Sequence, residues 1–123
     1  MPNIHVLGLD HAEAREFSRL VADYFEREQG TPREHVYVFR TGAEVFRDGE
    51  EVESPVVIRL SWIRRGPGDF EAVGRALTEI VRGPLARHAA NIQVELHEKW
   101  ADALVGGVLC SDWAAANRDA SGS

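Results

Sequence analysis

Cysteine is almost missing from this chain of 123 residues: Cys110 stands alone, so no intrachain disulfide forms and a reducing compartment fits. Cations are also scarce, with 14 Lys and Arg against 20 Asp and Glu and a formal net charge of −6. A nucleic-acid surface needs clustered Lys and Arg, and this balance speaks against one. No apolar run approaches the length of a membrane span. The opening residues lack the basic segment and long apolar core of a secretion signal. The histidines, His5, His11, His35, His88 and His97, show no metal-ligand spacing, and no cysteine pair accompanies them. "RRGPGDFE" sets two arginines and a glycine turn ahead of a helix, but no Gly-Lys-Ser/Thr follows. It reads as an anion-binding turn or an ordinary capped loop. The expectation left standing is a cytoplasmic, single-domain protein with no metal, no cofactor, no nucleic-acid partner and no membrane contact.

Hydrophobic residues make up 44% of the chain and charged residues 28%, enough apolar material for one packed core. "NIHVLGL" has strand length and stops at Asp10, a good helix N-cap. From Ala12 the period changes. Phe17, Leu20, Val21, Tyr24 and Phe25 fall on one helical face, and "QGTP" ends that helix with Gly30 as its C-cap. "HVYVFR" predicts a second strand, Val36 and Val38 on one face, Tyr37 and Phe39 on the other. Asp48-Gly49 predicts a type I′ hairpin that sets Arg47 opposite Glu50 and Val45 opposite Val52.

"PVVIRLSW" predicts a third main strand, with Val56, Ile58, Leu60 and Trp62 alternating with Val57, Arg59 and Ser61. Asp69 then caps a helix whose apolar side holds Phe70, Val73, Leu77, Ile80 and Val81. "NIQVELHE" follows as a fourth strand, Ile92, Val94 and Leu96 inward, Gln93, Glu95 and His97 outward. A shift of about 53 positions lays Pro2 on Pro55, Phe17 on Phe70 and Leu20 on Val73.

Two tandem β-α-β units with parallel flanking strands follow, giving an α+β fold: one four-stranded sheet, two helices on one face, and a β-hairpin. The expected domain spans 1–110, its halves about 1–41 and 55–100 with the hairpin at 44–53 between them, and 111–123 form a partly disordered tail. The sheet face away from the helices is expected to carry Val, Tyr, Phe and Trp side chains, which a partner subunit would cover.

The Met-Pro start running straight into a strand, the two β-α-β units and "GTP" before the second strand resemble the tautomerase superfamily, the group of 4-oxalocrotonate tautomerase and macrophage migration inhibitory factor. "FRDGEEVESPVVIRLSWIRRG" is similar to a branch of it that is a domain of unknown function. The resemblance covers residues 2 to about 100. It implies a homotrimer, sheets inward and helices outward, and a small-molecule substrate. It also implies that Pro2, freed of Met1, is a catalytic base.

A neutral secondary amine takes a proton from carbon beside a carbonyl and returns it elsewhere, which is keto–enol isomerisation. Retained Met1 instead makes the Pro2 nitrogen a tertiary amide without basicity, leaving a non-catalytic trimeric binding protein as the alternative. Carried onto this sequence, the resemblance puts Tyr37 where the tautomerase has a substrate-binding arginine and Thr31 where the inhibitory factor has a lysine. Asp10 and His11 stand where the tautomerase has another arginine, so the usual dicarboxylate substrate does not follow. Trp62, Ile63 and Arg64 fall where the family lines its pocket, and Gln93 and Glu95 where a neighbouring subunit contributes. Arg40, Arg59, Arg64 and Arg65 are either the missing positive charge or solvated surface cations. Trp62 is either core, interface or a substrate platform, and Cys110 reads as a small buried hydrophobe.

Overall fold

The computed structural model describes residues 2–62, 69–87, 92–98, 104–105 and 108–109. Strand β1 (Asn3–Leu7) leads into helix α1 (His11–Gln29), a 3-10 turn (Arg33–His35) and β2 (Tyr37–Thr41). The hairpin strands β3 (Val45–Arg47) and β4 (Glu50–Val52) come next. Strand β5 (Val56–Trp62), helix α2 (Asp69–Arg82) and strand β6 (Ile92–Glu98) form the second half. Two short strands, β7 (Leu104–Val105) and β8 (Val108–Leu109), pair antiparallel. Two residues each are too short to leave a periodic signal, and the sequence reading has no counterpart for them.

The main sheet runs β2-β1-β5-β6. β1 and β2 are parallel, as are β5 and β6, while β1 and β5 meet antiparallel at the centre. Each β-α-β unit therefore builds one half of the sheet, and the halves join through their first strands. Both helices cover one face. Ile4 and Val6 of β1 and Val56, Ile58, Leu60 and Trp62 of β5 form one core with Phe17, Val21 and Phe25 of α1 and Val73, Leu77 and Val81 of α2.

The ends of α1 follow local chemistry. The Asp10 carboxylate accepts from the Glu13 N–H at 2.8 Å, and the Asp10 N–H donates to the Glu13 carboxylate at 3.0 Å, a reciprocal capping box. Arg87, just beyond α2, donates to both Glu13 oxygens at 3.2 Å and to Glu53 at 3.1 Å, tying the second half of the chain to that cap. Gly30 closes the helix in the left-handed region at φ 63°.

Strand alternation corrects one expectation. Trp62 shares its parity with Val56, Ile58 and Leu60, so it lies under the helices at 1% exposure and not on the open face. The open face is mixed: Tyr37, Phe39, Leu7 and Val57 stand among Asn3, His5, Thr41, Arg59, Ser61, Gln93, Glu95 and His97.

The hairpin has the expected register, Arg47 opposite Glu50 and Val45 opposite Val52, with positive φ at both Asp48 (52°) and Gly49 (78°). A Cβ at Gly49 meets nothing within 4 Å, so the cost of a side chain there is conformational strain alone. Gly49→Val is expected to lower stability by about 1 kcal/mol, read as a fall in melting temperature. An unchanged melting temperature would contradict this turn assignment.

Candidate active site at the Pro2 end of the sheet

Pro2 immediately precedes β1, and the sheet register decides what surrounds it. Asn3 pairs with Tyr37 on one side and with Ser61 on the other. The start of β2 and the end of β5 therefore come to the same end of the sheet as Pro2, and Trp62, one residue past the Asn3–Ser61 pair, comes level with it. The Tyr37 N–H donates to the Pro2 carbonyl at 3.4 Å. Glu98 pairs with Trp62, which brings the end of β6 to this end as well.

The single-chain fold closes Pro2 in completely, with less than 2% of it exposed. The packing below this end is aromatic. The Phe25 ring stands edge-on to Trp62 at 5.6 Å, and Phe70 lies 5.8 Å from Trp62 on its other contact. Helix α1 returns the chain to this end, where the Thr31 N–H donates to the Phe25 carbonyl at 3.1 Å. Thr31 is 3% exposed, and its Oγ1 has no hydrogen-bond partner among the described residues. A buried hydroxyl without a partner is costly to the fold.

The other expected residues separate. Tyr37 is at the Pro2 end and 53% exposed. Arg40 pairs with Val6, four residues along β1 from Pro2, roughly 13 Å at the rise of a strand. Its Nε donates to the Leu9 carbonyl at 2.8 Å, which holds it at the opposite end of the sheet. Gln93 pairs with Val57, also towards that far end. Glu95 is mid-strand and holds Arg59 through a 2.6 Å hydrogen bond from Nε. Ile63, Arg64 and Arg65, which follow Trp62 in sequence, lie outside the described residues, as do Cys110, the turn ahead of α2 and the tail from 111.

Two features of the site region carry little sequence signal. Thr31 is polar and stands in a turn, where exposure is the ordinary expectation. The stacking of His5 on Phe39, ring centres 4.8 Å apart and 14° from parallel, follows only once the β1–β2 register is known.

Two grooves formed by described residues lie elsewhere. One of about 640 Å³ runs between α2 and β6 along Phe70, Gly74, Ile92, Val94 and Leu96. Another of about 420 Å³ lies between α1 and α2 along Leu20, Tyr24, Ala76 and Ile80. Pro2 lines neither. On the solvent side of α1, hydrogen bonding from Arg19 holds the Glu16 carboxyl below the usual carboxylate range. No cluster of His, Cys, Asp and Glu among the described residues is arranged to hold a metal ion. No helix among them is long and apolar enough to cross a membrane.

The architecture thus defined is a pair of β-α-β units joined through their first strands, with a proline opening the first. Solved structures share it over nearly the whole chain. A domain of unknown function, DUF1904, from Sebaldella termitidis is 20% identical with a TM-score of 0.75, covering 89% of this chain and 99% of its own. A fused 4-OT described as a wild type asymmetric trimer is 17% identical with a TM-score of 0.77, covering 90% and 98%. A macrophage migration inhibitory factor-like protein from Entamoeba histolytica is 13% identical with a TM-score of 0.66, covering 85% and 93%. The sequence matches no protein-family profile and no curated protein. The chain has the tautomerase-superfamily fold.

Proposed function

We propose that this protein is a cofactor-independent keto–enol isomerase, a cytoplasmic homotrimer in which the Pro2 amine is the general base on a small keto or enol acid. The observation that carries the reading is the burial of Pro2 at the head of a central strand, beside the aromatic packing of Phe25, Trp62 and Phe70. A free α-amino group titrates near 7.7–8, and burial disfavours its charged form. Once Met1 is removed, a neutral amine exists at working pH. It accepts a proton from the carbon next to the substrate carbonyl and then donates that proton at the other end of the enol system.

Charge developing on the substrate oxygen needs donors or cations. The Tyr37 hydroxyl, the orphan Thr31 hydroxyl and Arg64, two residues past Trp62 in the sequence, are the candidates in this chain. Trp62 and Ile63 supply apolar wall. Arg40, Gln93 and Glu95 serve such a site only from a neighbouring copy, because the single chain holds them away from Pro2. The trimer reading is supported by the open sheet face, where Tyr37 and Phe39 remain 53% and 46% exposed, and by solved structures of this fold described as trimers.

A second reading is a trimeric small-molecule-binding protein that retains Met1, in which the Pro2 nitrogen is a tertiary amide without basicity. Ketonisation of phenylenolpyruvate by protein lacking Met1 separates the two. The isomerase reading expects decay of the enol absorbance in proportion to protein concentration, with about three chains per particle by ultracentrifugation, the closed cyclic assembly. Enol decay at the buffer rate alone leaves only the binding reading, and a stable monomer at micromolar concentration overturns the trimer.

A further inference from the structure

Helix α1 hands the chain to the Pro2 end through the 3-10 turn Arg33–His35, and the side chain of Arg33 reaches back to the helix. Its Nη2 donates to the Asp23 carboxylate at 2.9 Å and its Nη1 to the Glu26 carboxylate at 3.4 Å. Asp23 and Glu26 stand three apart in α1, which puts both acids on one helical face. The planar fork of one guanidinium spans the two together. The turn itself is closed by the His35 N–H to the Pro32 carbonyl at 2.9 Å and the Val36 N–H to the Arg33 carbonyl at 3.2 Å. The next N–H, that of Tyr37, donates to the Pro2 carbonyl. We infer that Arg33 is a positioning residue for the isomerase reaction: by clasping the turn to α1, it fixes the rung that joins Tyr37 to Pro2. The inference rests on the isomerase reading above, in which Pro2 is the base and Tyr37 a donor to the substrate oxygen.

The Tyr37–Pro2 hydrogen bond does not hold that rung by itself. At 3.4 Å it lies beyond the usual range for an N–H to oxygen bond, so a small further shift breaks it. It is also the terminal contact between β1 and β2, where a strand pair frays first, and β2 stands at the edge of the sheet. The placement of Tyr37 therefore depends on the turn that precedes it. Neither Glu34 nor His35 makes a side-chain hydrogen bond to another described residue, so Arg33 carries the side-chain anchorage of that turn.

The clasp acts locally. Arg33 and Glu26 are exposed and Asp23 is half-buried, and ion pairs this open to water contribute little to overall stability. Arg19 also stands 3.6 Å from Asp23, so truncating Arg33 does not strip that acid of its cations. Catalysis is the more sensitive readout, because misplacing a reacting group by about 1 Å costs up to about a hundredfold in rate. A rung that is loosened rather than lost is expected to cost about three- to tenfold. Lysine is a single point charge that reaches one carboxylate at a time, so it restores part of the hold.

Hydrogen exchange at the Tyr37 amide and ketonisation of phenylenolpyruvate are measured on protein lacking Met1, native and with Arg33→Ala, Arg33→Lys, or Asp23→Asn joined to Glu26→Gln. For Arg33→Ala, Tyr37 is expected to exchange about tenfold faster with Phe39 unchanged, and kcat to fall about three- to tenfold with KM within about twofold. The melting temperature stays within about 2 °C of native, and Arg33→Lys recovers part of both losses. The double acid variant reproduces the loss, and combining it with Arg33→Ala adds nothing further, as a single clasp requires. Unchanged Tyr37 exchange or unchanged kcat in Arg33→Ala, a loss carried by KM alone, or losses that add in the combined variant overturn the clasp while leaving the isomerase standing. A larger fall in melting temperature assigns Arg33 a general structural role and overturns positioning. A native rate equal to that of buffer overturns the isomerase reading and the part of Arg33 in it, while Tyr37 exchange still reports whether the turn is clasped.

Discussion

Gly8→Ala is expected to destabilise the fold by about 3 kcal/mol or more, the combined effect of a positive-φ penalty and an overpacked backbone contact. Gly8 follows β1 with φ at 89°, in the left-handed region that L side chains rarely adopt. A Cβ placed there falls on the Pro55 carbonyl oxygen, with the Pro55 carbonyl carbon 2.9 Å and the Val56 Cα 3.0 Å away. All these atoms are backbone, so no side chain can swing aside, and relief requires separating the end of β1 from the start of β5. Those two strands join the halves of the sheet. Thermal unfolding followed by circular dichroism should show a fall of about 10 °C or more for a domain of this size. Gly49→Val is the informative comparison, because it keeps the positive-φ strain without the clash. If the two variants melt within about 2 °C of each other, the close approach at Pro55 is not what fixes Gly8.

That contrast shows which parts of the molecule the sequence could express. Positive φ at Asp48-Gly49 was legible because a hairpin turn is local chemistry, and the register Arg47–Glu50 and Val45–Val52 follows from counting outward. The capping of α1 by Asp10 and Gly30 is equally local. Gly8 looks no different from any glycine ending a strand, because its constraint comes from Pro55, 47 residues away. The same division holds for the sheet. Alternation along "PVVIRLSW" and "NIQVELHE" separates inward from outward residues, and the structure agrees.

Alternation cannot say which strands are neighbours, so the antiparallel joint between β1 and β5, and with it the Phe39–His5–Arg59–Glu95 row, is fixed only by the folded sheet. Within the candidate site, Pro2, Tyr37 and Trp62 are brought to one end by the ladder. Arg40 sits about four residues from Pro2 along that ladder, a separation that counting charges in a sequence does not reveal. Thr31 shows the complementary case: its burial depends on α1 returning to the Pro2 end, and no polar-residue pattern encodes that.

The largest expected functional effect belongs to the nitrogen of Pro2. Protein carrying a blocked or extended N-terminus is expected to lose ketonisation by about a hundredfold or more relative to protein in which Pro2 is first, the usual scale for removing a general base. The extension turns a secondary amine into a tertiary amide and abolishes the basic lone pair. It leaves β1, its pairing with β2 and the Tyr37 N–H bond to the Pro2 carbonyl in place, so the melting temperature is the control for folding. Intact-mass measurement establishes which form each preparation contains. Pro2→Ala is the weaker variant, since it still presents a primary amine.

The pH dependence supplies a second, independent signature of the amine. On the isomerase reading only the unprotonated amine works, so the rate of the processed protein should fall as pH drops through the titration of that amine. The blocked form should show no such fall, because it has no group to protonate at that position. Equal turnover in the two forms, or a rate in the processed protein that ignores pH across this range, would assign Pro2 a structural role: a rigid, buried start to the central strand in a protein that binds its small molecule without transforming it.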